Sequence, residues 1–119
     1  MKVAVIGASN KPHRYSYKAV MLLKEKGHQT FPVHPRIKEI EGMRVFSSVN
    51  EINDSLDTVT MYVGVAASDL IGDDIIAKNP KRIIFNPGAE NPALEKKAKD
   101  KGIIAINACT LVMLKTGRF

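Results

Sequence analysis

The sequence predicts an α/β fold in which helices cover a five-stranded parallel sheet. Three observations carry this expectation. Short runs rich in valine and isoleucine alternate with longer amphipathic segments along the whole chain. Each run ends in a turn or capping residue. The first run passes through a glycine-led loop into a helix, as strand-to-helix units do.

Taken in order, Lys2–Ile6 is the first strand, ended by Gly7. Ser16 is placed to cap a helix reaching about Lys26, with Ala19, Val20 and Leu23 on one face and Gly27 as its stop. Gln29–Val33 is the second strand, closed by His34-Pro35. Ser48 and Glu51 have capping-box spacing and predict a short helical turn. Thr58–Val65, free of charge, reads as a central third strand covered on both faces. Ser68 opens a helix carrying Ile71, Ile75 and Ile76, and Asn79-Pro80 closes it. Arg82–Phe85 is the fourth strand. Asn91-Pro92 is a cap with a first-turn proline, starting a helix that ends at Gly102. Ile103–Ile106 is the fifth strand, and Leu111–Leu114 begins a last helix.

Such alternation describes a doubly wound, Rossmann-like domain with right-handed crossovers and an expected strand order of 3-2-1-4-5. Ligands of such folds sit beyond the carboxyl ends of the strands. With 119 residues the chain has the size of one domain, residues 1–119, and leaves no room for a second substrate domain. One cysteine excludes an internal disulfide, and three scattered histidines show no metal spacing. The amino terminus lacks the pattern of a signal peptide, and no apolar run reaches the ~20 residues that span a bilayer. A soluble cytoplasmic protein is expected. The net charge of +6 permits an anionic ligand without identifying one, because Lys96, Lys97, Lys99 and Lys101 read as one helix's solvated face.

The loop Gly7-Ala8-Ser9-Asn10-Lys11-Pro12-His13-Arg14 carries the chemistry. Glycine permits a sharp turn and close approach of backbone amides to a ligand. Ala8 and Ser9 are small, and the Ser9 hydroxyl can donate to a phosphate oxygen. The helix that follows points its positive end at the same place, and Lys11 and Arg14 add charge. Only one glycine of the dinucleotide fingerprint is present. The second strand ends in Val33-His34-Pro35-Arg36, where a site for NAD would place an acid. Arginine there suits a phosphorylated ribose, which leaves NADP and coenzyme A open.

The stretches GASNKPHRYS, PVHPR, FNPGAEN and NACTLVMLKTGRF together resemble the stand-alone CoA-binding protein family. That family is similar to the CoA-binding domain of the succinyl-CoA synthetase alpha subunit. The resemblance covers nearly the whole chain and implies coenzyme A, or an acyl-CoA, as the ligand. It implies that Gly7, Ala8, Ser9, Lys11, Pro12 and Arg14 line the diphosphate and adenosine end. Pro35 and Arg36 would receive the ribose phosphate, and Val63, Gly64 and Val65 would flank the ligand as it leaves the crevice. The family often has asparagine where this chain has His34, which puts one polar contact in question. The synthetase's phosphorylated histidine lies in another domain, so no catalytic role passes to His13, His28 or His34.

Two residues tempt a catalytic reading. Cys109 lies past the fifth strand but reads as a small residue under the last helix. Glu90 reads as an acid at the start of the Asn91-capped helix. The expectation is therefore binding without catalysis by the isolated domain. A CoA-dependent enzyme subunit needing a partner and an NADP-binding reductase fragment are the alternatives. Nucleic acid is disfavoured because Tyr15, Tyr17 and Tyr62 offer little stacking surface. Pairing with a second copy or with another protein is left open.

Overall fold

A computed structural model describes residues 1–119. Its main sheet joins β1 (Lys2–Ile6), β2 (Gln29–Val33), β5 (Thr58–Met61), β6 (Arg82–Phe85) and β7 (Ile104–Asn107), all parallel. Helices α1 (Tyr15–Glu25), α2 (Val65–Ala77), α3 (Pro92–Asp100) and α4 (Thr110–Lys115) connect and cover it. A small hairpin, β3 (Glu39–Ile40) with β4 (Met43–Arg44), stands apart and was not foreseen.

The fold class is as expected, but the strand order is not. The sheet runs β2-β1-β5-β6-β7. In the numbering of the expected strands this is 2-1-3-4-5, not 3-2-1-4-5. Two residue-level facts explain the correction. All four residues of β5 are buried, and its backbone pairs with β1 on one side and β6 on the other. The expected order would have put this charge-free strand at an exposed edge. Pro32, meanwhile, lies within β2 and has no N–H to give to an outer neighbour, so β2 belongs at an edge. Phe46 covers that edge with two bonds, accepting from His34 N–H (2.9 Å) and donating to Pro32 C=O (2.9 Å).

The core has two halves. Ala4, Ile6, Phe31 and Val33 face one side with Val49, Ile52, Ile75 and Leu94, beneath a 3-10 turn (Val49–Glu51), α2 and α3. Val3 and Val5 face the other side with Val20, Leu23 and Leu114, beneath α1 and α4, and the hairpin adds Ile40 and Val45 there. No helix is long and apolar enough to cross a membrane.

Two helix starts also differ from expectation. Helix α1 begins at Tyr15 with Arg14 in the cap position, and Ser16 is buried in the first turn. Helix α2 begins at Val65, because β5 ends at Met61 rather than Val65. Ser68 then lies inside the helix, donating to the Val65 carbonyl (3.2 Å). Asn91 caps α3 as expected, accepting from Leu94 N–H (3.1 Å).

Candidate functional site

Strand β1 feeds leftwards into β2 and β5 lies on its other side, so the topological switch falls beside β1. A cavity of about 840 Å³ opens there. This lies within the roughly 300–1,000 Å³ usual for small-molecule and cofactor sites.

Most residues singled out in the sequence meet in this cavity. Gly7, Ala8, Ser9, Lys11 and Arg14 line it from the loop after β1. Pro35 and Arg36 line it from the end of β2, and Val63 from the end of β5. Pro12, Gly64 and Val65 are exposed nearby in the chain but are not part of the lining. Cys109 and Glu90 are outside it as well. Cys109 is half-buried at the start of α4, and Glu90 accepts from Gly88 N–H (2.9 Å).

Gly7 is required by close approach. Its φ is +85°, and a Cβ there would meet Val63 Cγ1 at 2.7 Å and the Tyr62 carbonyl group at 3.2 Å. The amides of Gly7 and Ala8, however, are not free for a ligand. Both donate to the Val33 carbonyl (3.0 and 3.1 Å), which ties the loop to the end of β2. The donors left without a protein partner come later, at Ser9 and Asn10 and in the first turn of α1. Ser9 Oγ accepts from Lys11 N–H (3.1 Å) and keeps its own hydroxyl proton to donate. Helix α1 has no side-chain cap and no acid in its first turn. Uncapped amides, the helix dipole and two nearby cations make this end of the cavity suited to an anion.

His34 has a definite task. Its Nδ1 accepts from Arg36 N–H (3.0 Å) and Ile37 N–H (3.1 Å), shaping the turn that carries Arg36. An asparagine oxygen makes the same kind of turn, so the departure from the asparagine of the resembling family preserves the geometry. The bonds need an unprotonated Nδ1. Partial burial, and then the charge of Arg36, hold the imidazole pKa below its usual 6.5.

Sequence reasoning missed most of one wall. Ala67, Leu70, Ile71, Asp74 and Ile75 line the cavity from α2, facing Ser47, Ser48 and Val49. The signal was present as a stripe at i, i+3, i+4, i+7 and i+8 that included an acid. Leu70 is 87% exposed and Tyr15 70% exposed, giving the cavity two apolar lips. Tyr62 also contributes, with its hydroxyl turned into the protein and lacking a partner. Burial pushes that phenol up to about 12, so it stays protonated at neutral pH.

A family described as "CoA binding domain" matches residues 1–115. The chain belongs to that family. An uncharacterised protein of known crystal structure is 36% identical, with a TM-score of 0.89 over 99% of this chain and 97% of that one. A hypothetical protein from Pyrococcus horikoshii is 29% identical, with a TM-score of 0.91 over 97% of this chain and 82% of that one. The alpha subunit of an ADP-forming acetate–CoA ligase from Pyrococcus furiosus is 39% identical over 62 residues. That match takes in 51% of this chain but only 14% of the ligase subunit.

Proposed function

We propose that the cavity binds coenzyme A, or an acyl-CoA, reversibly, and that residues 1–119 act as one binding domain that makes and breaks no covalent bond. The observation that carries this reading is that the loop after β1 and Arg36 open into one cavity. The free amides of Ser9, Asn10 and the start of α1 take the diphosphate, with Lys11 and Arg14 as mobile counter-charges. Gly7 and Ala8 keep that approach open, and Pro12 directs the loop towards α1. Arg36, held by the His34 turn, takes the 3′-phosphate in a forked, charge-assisted contact, and Pro35 stiffens its approach. Val63, Gly64 and Val65 form the lip over which the pantetheine arm leaves.

Membership of a CoA-binding family favours coenzyme A over NADP, whose ribose phosphate Arg36 alone would serve equally well. The likeness to a ligase subunit supports a second arrangement, in which a partner supplies the chemistry while this domain holds the cofactor. Mass analysis of ligand released by denaturing protein purified from its host tests the reading. Coenzyme A or an acyl-CoA is expected. Recovery of NADP in its place would overturn it.

A further inference from the structure

The two edges of the sheet are protected unequally. At β2, Pro32 has no N–H to offer, and Phe46 bonds the outer backbone. Strand β7 ends the sheet on the other side, and no element pairs with its outer backbone. It reads Ile-Ala-Ile-Asn, with neither the charge nor the proline that usually guards an open edge. Ile103 and Ala105 turn inwards with Leu94 and Ala98 of α3, so Ile104 and Ile106 face the opposite side. Ile104 is 60% exposed there.

The backbone of this edge is matched to a copy of itself. Ile104 N–H donates to the Lys81 carbonyl and Ala108 N–H to the Phe85 carbonyl, both at 3.1 Å. Strand groups alternate in direction, so those of Ala105 and Asn107 point away from β6. An antiparallel copy of the strand, centred on Ile106, sets Ala105 of each copy opposite Asn107 of the other. Residues so placed exchange both N–H···O bonds.

The charges beside the strand repeat the match. Glu95 of α3 accepts from Asn107 Nδ2 (3.2 Å) and from Lys99 Nζ (2.7 Å), which lays the Glu95–Lys99 pair along this edge. Lys97 turns the other way, to Asp73 of α2. A two-fold axis at Ile106 runs the two α3 helices antiparallel and brings each Glu95 toward the other copy's Lys99. The stripe is complementary to itself.

We infer that β7 is the docking edge for a second copy of this chain, which joins two sheets into one across an isologous seam. Ile104 and Ile106 are covered in the process. The cavities beside β1 lie beyond β5 and β6 from the seam, so both stay open.

Sedimentation of the ligand-free protein over a range of concentrations tests this, and a reversible dimer is expected. Asn107→Pro removes an outward N–H and no bond to β6, and should raise the dissociation constant at least about tenfold. Glu95→Lys and Lys99→Glu each give the exposed stripe a single sign and should weaken self-association by roughly tenfold. An equimolar mixture of these two variants should associate again, as a heterodimer. Circular dichroism should be the same for the charge variants and the wild type. A wild type that sediments as one chain at every concentration overturns the proposal. So does a dimer whose affinity survives all three substitutions, because it must use another surface. A mixture that associates no better than either charge variant alone also overturns it, since the two-fold register demands the rescue.

Discussion

The loops after β1 and after β6 leave the same edge of the same sheet, yet they spend their polar groups in opposite ways. After β6, Asn86 is buried and fully engaged. Its amide nitrogen donates to Thr60 Oγ1 (2.7 Å) and the Met61 carbonyl (2.9 Å), and its oxygen accepts from Thr110 N–H (2.8 Å). Asn91, at the other end of that loop, caps α3 and also donates to Ser68 Oγ (2.8 Å) and Asp69 Oδ1 (2.8 Å). After β1, the amides of Ser9 and Asn10 and the start of α1 have no partner. Both stretches stand out in the sequence as dense in asparagine, glycine and proline. One is chiefly a fastener, with only Pro87 reaching the cavity; the other leaves backbone donors free beside that cavity.

That contrast can be broken by substitution. Asn86→Leu strands Thr60 and the Thr110 amide in the interior, and should cost roughly 3 kcal/mol in urea unfolding. The folded fraction should bind CoA as before; a loss of affinity without loss of stability would assign the wrong role to this loop. Gly7→Ala should affect both properties, because the added methyl meets Val63 at a positive φ. A stability loss of about 1–3 kcal/mol is expected, with weaker CoA binding as the lip is forced open. Replacing Lys11 and Arg14 together by alanine should lower CoA affinity about tenfold, more at low salt, with an unchanged unfolding midpoint. A shifted midpoint would show these exposed side chains to be structural.

The smallest expected effect is in pH. The His34 pKa is lowered in the folded protein, by burial and then by Arg36, so the unfolded chain binds the extra proton first. Its contribution to stability is complete above about pH 6.5 and is lost as pH falls through the lowered folded value. His28 shifts in the same direction, so the comparison needs His34→Asn, which keeps the turn and removes one titration. Thermal unfolding at about pH 7 and about pH 5 should show a smaller loss in the variant than in the wild type. Identical losses would place the His34 proton outside the folding equilibrium.

Much of the fold was legible because strand and helix periods differ so clearly in this chain. The order of the strands was misread in the stretch between residues 34 and 57, where no crossover helix announces the path. Pro32 held the needed information, since a proline inside a strand favours an edge. The hairpin was hidden by strands of two residues each, joined through Glu41-Gly42, both at positive φ. That the loop and Arg36 line the cavity could be anticipated from residue chemistry, because glycine, small residues and cations near a helix start are what an anion site needs. The α2 wall showed only an ambiguous stripe. Its apolar stripe looks like an ordinary core-facing surface until the tertiary fold leaves Leu70 uncovered.

The central claim is that this edge of the sheet holds a nucleotide through a phosphate on its ribose. Titrating the wild type and Arg36→Ala with CoA and dephospho-CoA tests it most directly. The account predicts that the wild type prefers CoA by about tenfold to a hundredfold, and that Arg36→Ala abolishes the preference without abolishing dephospho-CoA binding. Equal affinities for the two ligands in the wild type, or an equal loss for both in the variant, would contradict it.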